Sequence, residues 1–272
     1  MVVFPNCKIN IGLNITAKRN DGFHNIETVF YPIPWMDVLE VTGTDNLSPA
    51  LHSSGVIIEG NEADNICIKA YHLLKQDFRQ MPAVDIYLHK TIPAGAGLGG
   101  GSADGAFMLK LLNNKFKLAL TEESLIRYAL QLGSDCPFFI LNKPCFATGR
   151  GEHMLPVTVN LTGYTIVLIN PGIHVNTGGA FAKITPAVPA KSIKDIIQQP
   201  LETWKNEMKN DFEIPVFRAH KEIAAIKQAL YDNGAVYASM SGSGSTVYGI
   251  FLSGNIPAMH WPAQYICRSM AL

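Results

Sequence analysis

The sequence predicts an α+β fold, on three observations. Residues 7–42 read as consecutive short strands joined by turns, which is not a doubly wound alternation. The middle of the chain carries apolar runs of helical period. The second half returns to strands, two of which flank a loop of small residues. There is no internal repeat and no low-complexity segment.

Residues 7–16 alternate, with Cys7, Ile9, Ile11, Leu13 and Ile15 set against Lys8, Asn10, Gly12, Asn14 and Thr16, which predicts a half-buried strand. Lys8, Asn10 and Asn14 then share one face. Residues 18–22 read as a turn marked by Asp21-Gly22, and strands follow over 26–34 and 38–42. Residues 44–54 are polar and turn-like, and 56–58 read as a short strand. Asp64 or Asn65 caps a helix running to about Phe78, with Ile66, Ala70, Leu73 and Leu74 on one face. A strand over 84–90 precedes a glycine-rich stretch and a helix over 103–112. Thr121 caps a helix over 122–132 that Gly133 ends as a C′ residue. An acidic residue, Asp135, follows inside apolar sequence, and residues 149–152 form a turn.

A boundary is expected near Pro156, giving domains 1–155 and 156–272. The second opens with a strand over 165–169, ended by Asn170-Pro171-Gly172. Residues 176–179 read as a loop before a helix over 180–184, and 185–189 are irregular. Helices are expected over 192–198 and 216–230, the latter with Ala219, Ile223, Ile226 and Leu230 on one face. Strands over 236–240 and 246–251 flank residues 241–245.

Of the 272 residues, 47% are hydrophobic and 16% charged, so a sizeable core is available. A formal net charge of zero and the lack of a Lys/Arg tract argue against nucleic acid as the main partner. The cysteines number five, an odd count, and no pair has Cys-x-x-Cys spacing. Neither a disulfide framework nor a zinc site is indicated, and a reducing cytosol fits. No charged region precedes an apolar run at the N-terminus, and no apolar run approaches a membrane span. A cytoplasmic protein with no membrane and no nucleic-acid partner is the expectation.

Gly95, Gly97, Gly99, Gly100 and Gly101 fall between the 84–90 strand and the 103–112 helix. Glycine lets the backbone adopt positive φ and come close to a ligand, and successive N–H groups then form an anion nest. The free N–H groups of the helix start add to it. A flexible linker is the plainer reading of a Gly-rich stretch, but a linker is flanked by polar sequence. Here both flanks are apolar, which favours phosphate. No Gly-Lys-Ser/Thr follows, so the stretch is not a Walker A loop. A Rossmann fingerprint fits only at Gly97-x-Gly99, with no clear acidic residue about twenty positions on.

Phosphoryl transfer needs a phosphate cradle, neutralising charge and a group to orient or deprotonate the acceptor. Ser102, at the helix start, is either a phosphate or Mg²⁺ contact or a plain N-cap. Asp135 is either a base tuned by its apolar setting or a cap or turn residue. Lys8 reads most simply as a surface lysine, and His24 as an exposed histidine after a turn. Ser241-Gly242-Ser243-Gly244-Ser245 is either a tight hairpin or a second phosphate-facing loop. The other histidines (52, 72, 89, 153, 174, 220 and 260) show no metal-ligand spacing, and no metal site is assigned.

Three of these stretches resemble the three motifs of the GHMP kinases, the family of galactokinase and of the homoserine, mevalonate and phosphomevalonate kinases. They are residues 5–13 (Pro-Asn-Cys-Lys-Ile-Asn-Ile-Gly-Leu), the loop of Pro93, Ala94, Gly95, Ala96, Gly97, Leu98, Gly99, Gly100, Gly101, Ser102 and Ala103, and residues 241–245. Further marks are Arg19-Asn-Asp-Gly-Phe-His24, Leu132-Gly-Ser-Asp-Cys-Pro-Phe138, Gly149-Arg-Gly-Glu152, and Asn170-Pro-Gly172 with Thr177. They span residues 5–245, nearly the whole chain.

The resemblance implies a two-domain α+β fold of GHMP-kinase type. It places the active site in the cleft between an N-terminal nucleotide-binding domain and a C-terminal domain. It implies an ATP-dependent kinase, with Mg²⁺ carried on the nucleotide. The acceptor it implies is cytidine diphosphate-linked methylerythritol, phosphorylated on its 2-hydroxyl in non-mevalonate isoprenoid precursor biosynthesis. Lys8 and Asp135 match the family's catalytic pair, and residues 93–103 its ATP loop. Asn10, Phe23, His24, Thr177 and Phe181 match substrate-contacting positions, and Ser241, Gly242, Ser243 and Gly244 the phosphate-side loop. Phe23 stands where the family often has Tyr, which keeps stacking and loses a hydroxyl. Ser241 stands where Thr is frequent. Two alternatives remain: a homoserine- or mevalonate-type acceptor, against which Asp21-Gly-Phe-His24 speaks, and a non-catalytic nucleotide sensor, disfavoured by the presence of both Lys8 and Asp135.

Overall fold

The computed structural model describes residues 1–57 and 60–272. In chain order it contains β1 (Val2–Val3), β2 (Asn6–Lys18), β3 (His24–Met36), β4 (Val38–Gly43), β5 (Ala50–Gly55), a 3-10 turn (Glu62–Asp64), α1 (Ile66–Asp77), β6 (Val84–Lys90), α2 (Gly100–Phe116), α3 (Glu122–Leu132) and α4 (Cys136–Leu141). These are followed by β7 (Cys145–Gly149), β8 (His153–Pro156), β9 (Tyr164–Asn170), α5 (Thr177–Phe181), α6 (Ile193–Ile196), α7 (Leu201–Glu207), α8 (Glu213–Ala219), α9 (Lys221–Asp232), β10 (Tyr237–Met240), β11 (Val247–Leu252) and β12 (Ile266–Ala271). Helices combined with mainly antiparallel sheets give the α+β class that the sequence predicts. Among the described pairs, β5 with β6 is the parallel one.

Two compact units divide the chain, each built from separate segments. Residues 1–8, 32–94 and 99–143 form the first, and 9–31, 95–98 and 144–272 the second. A single cut at Pro156 does not describe this division. Strand pairing explains why: β7 and β8 extend the sheet ordered β2-β3-β7-β8, so residues 144–156 belong with residues 9–31.

The first unit holds a sheet ordered β1-β4-β6-β5, together with α1, α2, α3 and α4, which pack on one another. Asn65 caps α1 by accepting from the Cys67 N–H at 2.9 Å. β5 occupies a stretch expected to be turn-like. It is an edge strand with mostly exposed side chains, so nothing in its sequence alternates. Val56 and Ile57 are not in a strand, and Ile58 lies outside the described residues. α4, six residues and almost wholly buried, was hidden because a helix apolar all round shows no period. Gly133 ends α3 with φ of 169°, an extended backbone rather than a left-handed cap.

In the second unit the sheet ordered β10-β11-β9-β12 is covered by α9, whose Ile223, Ile226 and Leu230 share a core with Val247 and Phe251. The helix expected over 216–230 is two helices, α8 and α9, broken at His220, where φ is −132°. α5 starts earlier than expected because Asn176 caps it, accepting from the Gly179 N–H at 2.7 Å. α7 and β12 were not expected at all. β2 is buried on both faces over most of its length rather than on one. Besides β3, its second-unit part meets residues 209–211 through Leu13 N–H to Lys209 O and Asp211 N–H to Leu13 O, both 2.8 Å. No helix among the described residues is long and apolar enough to cross a membrane.

Candidate active site

Within the first unit, Lys8 and Asp135 come together. Lys8 Nζ lies 3.3 Å from Asp135 Oδ2, with the lysine side chain 4% exposed and the aspartate 35%. Lys8 is therefore a buried cation and not a surface lysine. Asp135 occupies the N-cap position of α4 but makes no side-chain cap bond. Its carboxylate faces Lys8 and does not cap the helix.

The exit of the glycine loop adjoins this pair. Gly99, in the left-handed region at φ of 69°, is the N-cap of α2. A Cβ there would lie 3.1 Å from Lys8 Cε and 3.0 Å from Phe139 Cζ. Glycine is required both by the backbone and by this close approach. α2 starts at Gly100, so Ser102 is inside its first turn and is not the N-cap. Ser102 is hydrogen-bonded to the Cys136 thiol, which burial pushes up to about 12.

The loop enters from β6 above a group that the sequence analysis did not single out. Lys90, Asp37 and Asp104 form a buried triad of charges. A signal was present in the sequence: Asp104 stands among Ala103, Ala106 and Met108 on the buried side of α2.

In the second unit, residues 95–98 meet the loop at 241–246. The Thr246 N–H donates to Ala96 O at 3.1 Å, and the Ser241 hydroxyl donates to Gly97 O at 2.8 Å. Gly97 leaves no room for a side chain, since a Cβ would fall 2.0 Å from Ser241 O. Ser241 is fully buried, and its oxygen also accepts from the Asn10 N–H at 3.2 Å. Ser241 thus acts as a brace between loop and strand, not as a solvent-facing hydroxyl. Gly242 and Gly244 are buried beside it, whereas Ser243 is partly exposed. Ser243 pairs with Thr177, oxygen to oxygen at 2.8 Å.

The remaining candidates also fall in the second unit. Asn10 is buried, donating from Nδ2 to Thr28 Oγ1 at 3.0 Å, while Tyr248 donates to its carbonyl at 2.9 Å. His24 stacks on Phe181 with ring centroids 4.7 Å apart and planes 13° apart. Partial burial, and then the charge of Lys18, lower the His24 pKa from its ordinary 6.5, which favours the neutral ring. Phe23 is exposed and carries the Arg150 guanidinium 3.6 Å over its ring. Phe181 therefore stacks with His24, and the group found over Phe23 is Arg150, a contact the sequence analysis did not anticipate.

Comparison with known proteins bears on these features. The family described as GHMP kinases N terminal domain matches residues 65–143, and GHMP kinases C terminal matches residues 192–256. A Bacteroides fragilis protein named 4-diphosphocytidyl-2-C-methyl-D-erythritol kinase is 56% identical over 253 residues, covering 92% of each chain. A Bacteroides thetaiotaomicron protein of the same name is 51% identical over 270 residues, 98% of each chain. A crystal structure of 4-(cytidine 5'-diphospho)-2C-methyl-D-erythritol kinase matches with a TM-score of 0.75 at 30% identity, over 92% of this chain and 89% of that one. On the strength of both domain matches and these long, close alignments, the chain belongs to the GHMP kinase family of small-molecule kinases.

Proposed function

We propose that this chain transfers the γ-phosphoryl group of ATP to the 2-hydroxyl of 4-diphosphocytidyl-2-C-methyl-D-erythritol. The observation that carries the reading is the Lys8–Asp135 pair at 3.3 Å, set beside Gly99 at the loop exit. Asp135 keeps part of its surface open, so it can take the proton of an incoming hydroxyl. The hydroxyl oxygen then bonds to the γ-phosphorus as the bond to the bridging oxygen breaks, and ADP leaves. Lys8 holds Asp135 ionised and offsets charge that develops on the transferring group. Backbone N–H groups of residues 95–102 and the start of α2 hold the donor phosphates.

Mg²⁺ is implied by ATP-dependent phosphoryl transfer. Among the described residues no group of three or more His, Cys, Asp or Glu is arranged to hold a metal ion, and the Asp135 carboxylate faces a lysine. This donor set fits a metal that arrives on the nucleotide rather than one caged by the protein. When bound with ATP, the ion would supply neutralisation of phosphate charge.

On the acceptor side, half-exposed Phe23, which carries Arg150 over one face of its ring, would take a pyrimidine on the other face, and the His24 edge can hydrogen-bond to it. Asn10, Thr177 and Phe181 complete the set. Five free thiols suit a reducing compartment, and we assign the protein to the cytoplasm. The test is inhibition by CDP. Competition with the cytidine-bearing acceptor, and not with ATP, is expected. ATP consumption with homoserine or mevalonate, and none with the cytidine-bearing acceptor, would overturn the assignment.

A further inference from the structure

Asp37, Lys90 and Asp104 have no part in the proposed chemistry, yet all three are buried, with side chains 0%, 4% and 2% exposed. Lys90 Nζ donates to Asp104 Oδ2 at 2.6 Å and also to Asp37 Oδ2. Asp37 Oδ1 accepts the N–H groups of Thr91 at 2.6 Å and Ile92 at 2.9 Å, the two residues that lead into Pro93. Asp104 stands on α2, the helix by which the chain leaves the loop, and its Oδ1 has no hydrogen-bond partner among the described residues. At Gly100, the first residue of α2, a Cβ would lie 2.8 Å from Ile92 Cγ2 and 3.5 Å from Lys90 Nζ. One ammonium therefore joins the way into the loop and the way out of it.

We propose that Asp37, Lys90 and Asp104 are positioning residues for ATP: they fix the entry of the 93–103 loop against the first turns of its exit helix, so that the loop N–H groups converge on the donor phosphates. The inference rests on reading residues 93–103 as the ATP loop. Stability alone gives no reason for the triad. A buried ion-pair cluster is often replaceable by apolar residues with no loss of stability, whereas its directional bonds set a geometry that apolar packing does not. The surroundings are dry. Burial pushes the Asp104 carboxyl up to about 7, and burial, with Asp104 next, pushes the Cys67 thiol on α1 well above its ordinary range. A loop of many glycines has no side-chain packing of its own to hold it, so its ends must be held from outside.

The experiment compares ATP affinity, CDP affinity and kcat in three folded proteins: wild type, Asp104→Asn, and the neutral triple variant Asp37→Asn, Lys90→Met, Asp104→Leu. Asp37→Asn keeps the Oδ1 that receives Thr91 and Ile92, and the other two changes exchange charge for apolar volume. We expect the triple variant to melt near the wild-type temperature, keep CDP affinity, and bind ATP about tenfold or more weakly. Asp104→Asn, which can still accept from Lys90, should recover most of that loss. Wild-type ATP affinity in the folded triple variant overturns the inference, and so does a parallel loss of ATP and CDP binding, which marks a merely structural cluster. If the triple variant does not fold, Asp104→Asn and Asp104→Ala decide: equal ATP affinity in the two contradicts a positioning role. Failure of the wild type to bind ATP overturns the loop reading itself, a result distinct from any of these.

Discussion

At the scale of single residues, the proposed chemistry rests on Lys8 and Asp135, and they differ in kind. Lys8 is shut away in the first unit, while Asp135 keeps an open side. Asp135→Asn retains shape and removes the base, so it should lower kcat by about 10²- to 10⁴-fold. ATP affinity should stay near wild type, because the loop N–H groups that hold the phosphates are untouched. Lys8→Ala should likewise reduce turnover far more than ATP affinity. Steady-state kinetics paired with direct nucleotide titration checks both, and equal losses in turnover and affinity would assign Lys8 to nucleotide binding instead. The alternation of residues 7–16 anticipated strand β2, which carries Lys8, Asn10 and Asn14. It did not reveal that the polar face is buried. A period of two reports which way side chains point and is silent on what covers them. In the second unit, Met208 and Ile193, far along the chain, press on this strand at Gly12.

At the scale of elements, the glycine loop is held by its neighbours. Asp104 gives this a measurable consequence. Its carboxyl, raised by burial to about 7 from 3.8, stays protonated in the folded protein over a range where the unfolded chain has released that proton. The folded state then binds more protons than the unfolded one. This group's contribution is therefore full below about pH 4 and is lost as pH rises towards about 7. Asp104→Asn should flatten that part of the profile, by at most about 1.4 kcal/mol per pH unit. Urea melts of both proteins at pH 5 and pH 7 measure it, and identical pH slopes would refute the burial-driven shift. Elements with a clear period were legible: α1, α3 and β6 fall close to or at their expected ends. Three of those missed share a physical cause. α4 is apolar almost all round, β5 is an exposed edge, and β12 carries mostly exposed or half-buried residues, so none of them writes a one-sided pattern.

At the scale of the whole molecule, the α+β class was readable from local pattern, and the motifs nominated the proposed site residues, but the interleaving of the two units was not readable. It follows from strand pairing between distant segments, such as β3 with β7, which no local pattern encodes. The same holds for Ser241, whose hydroxyl bonds to both Asn10 and Gly97, each far from it in the sequence. We propose that the assembled residues move one phosphoryl group onto one hydroxyl. The most direct measurement is ³¹P NMR of the products formed from ATP, Mg²⁺ and 4-diphosphocytidyl-2-C-methyl-D-erythritol. The account predicts ADP together with one new phosphomonoester resonance, coupled to the 2-position of the acceptor and absent with Asp135→Asn. ATP left intact by folded protein, or a phosphate placed on any other hydroxyl, would contradict it.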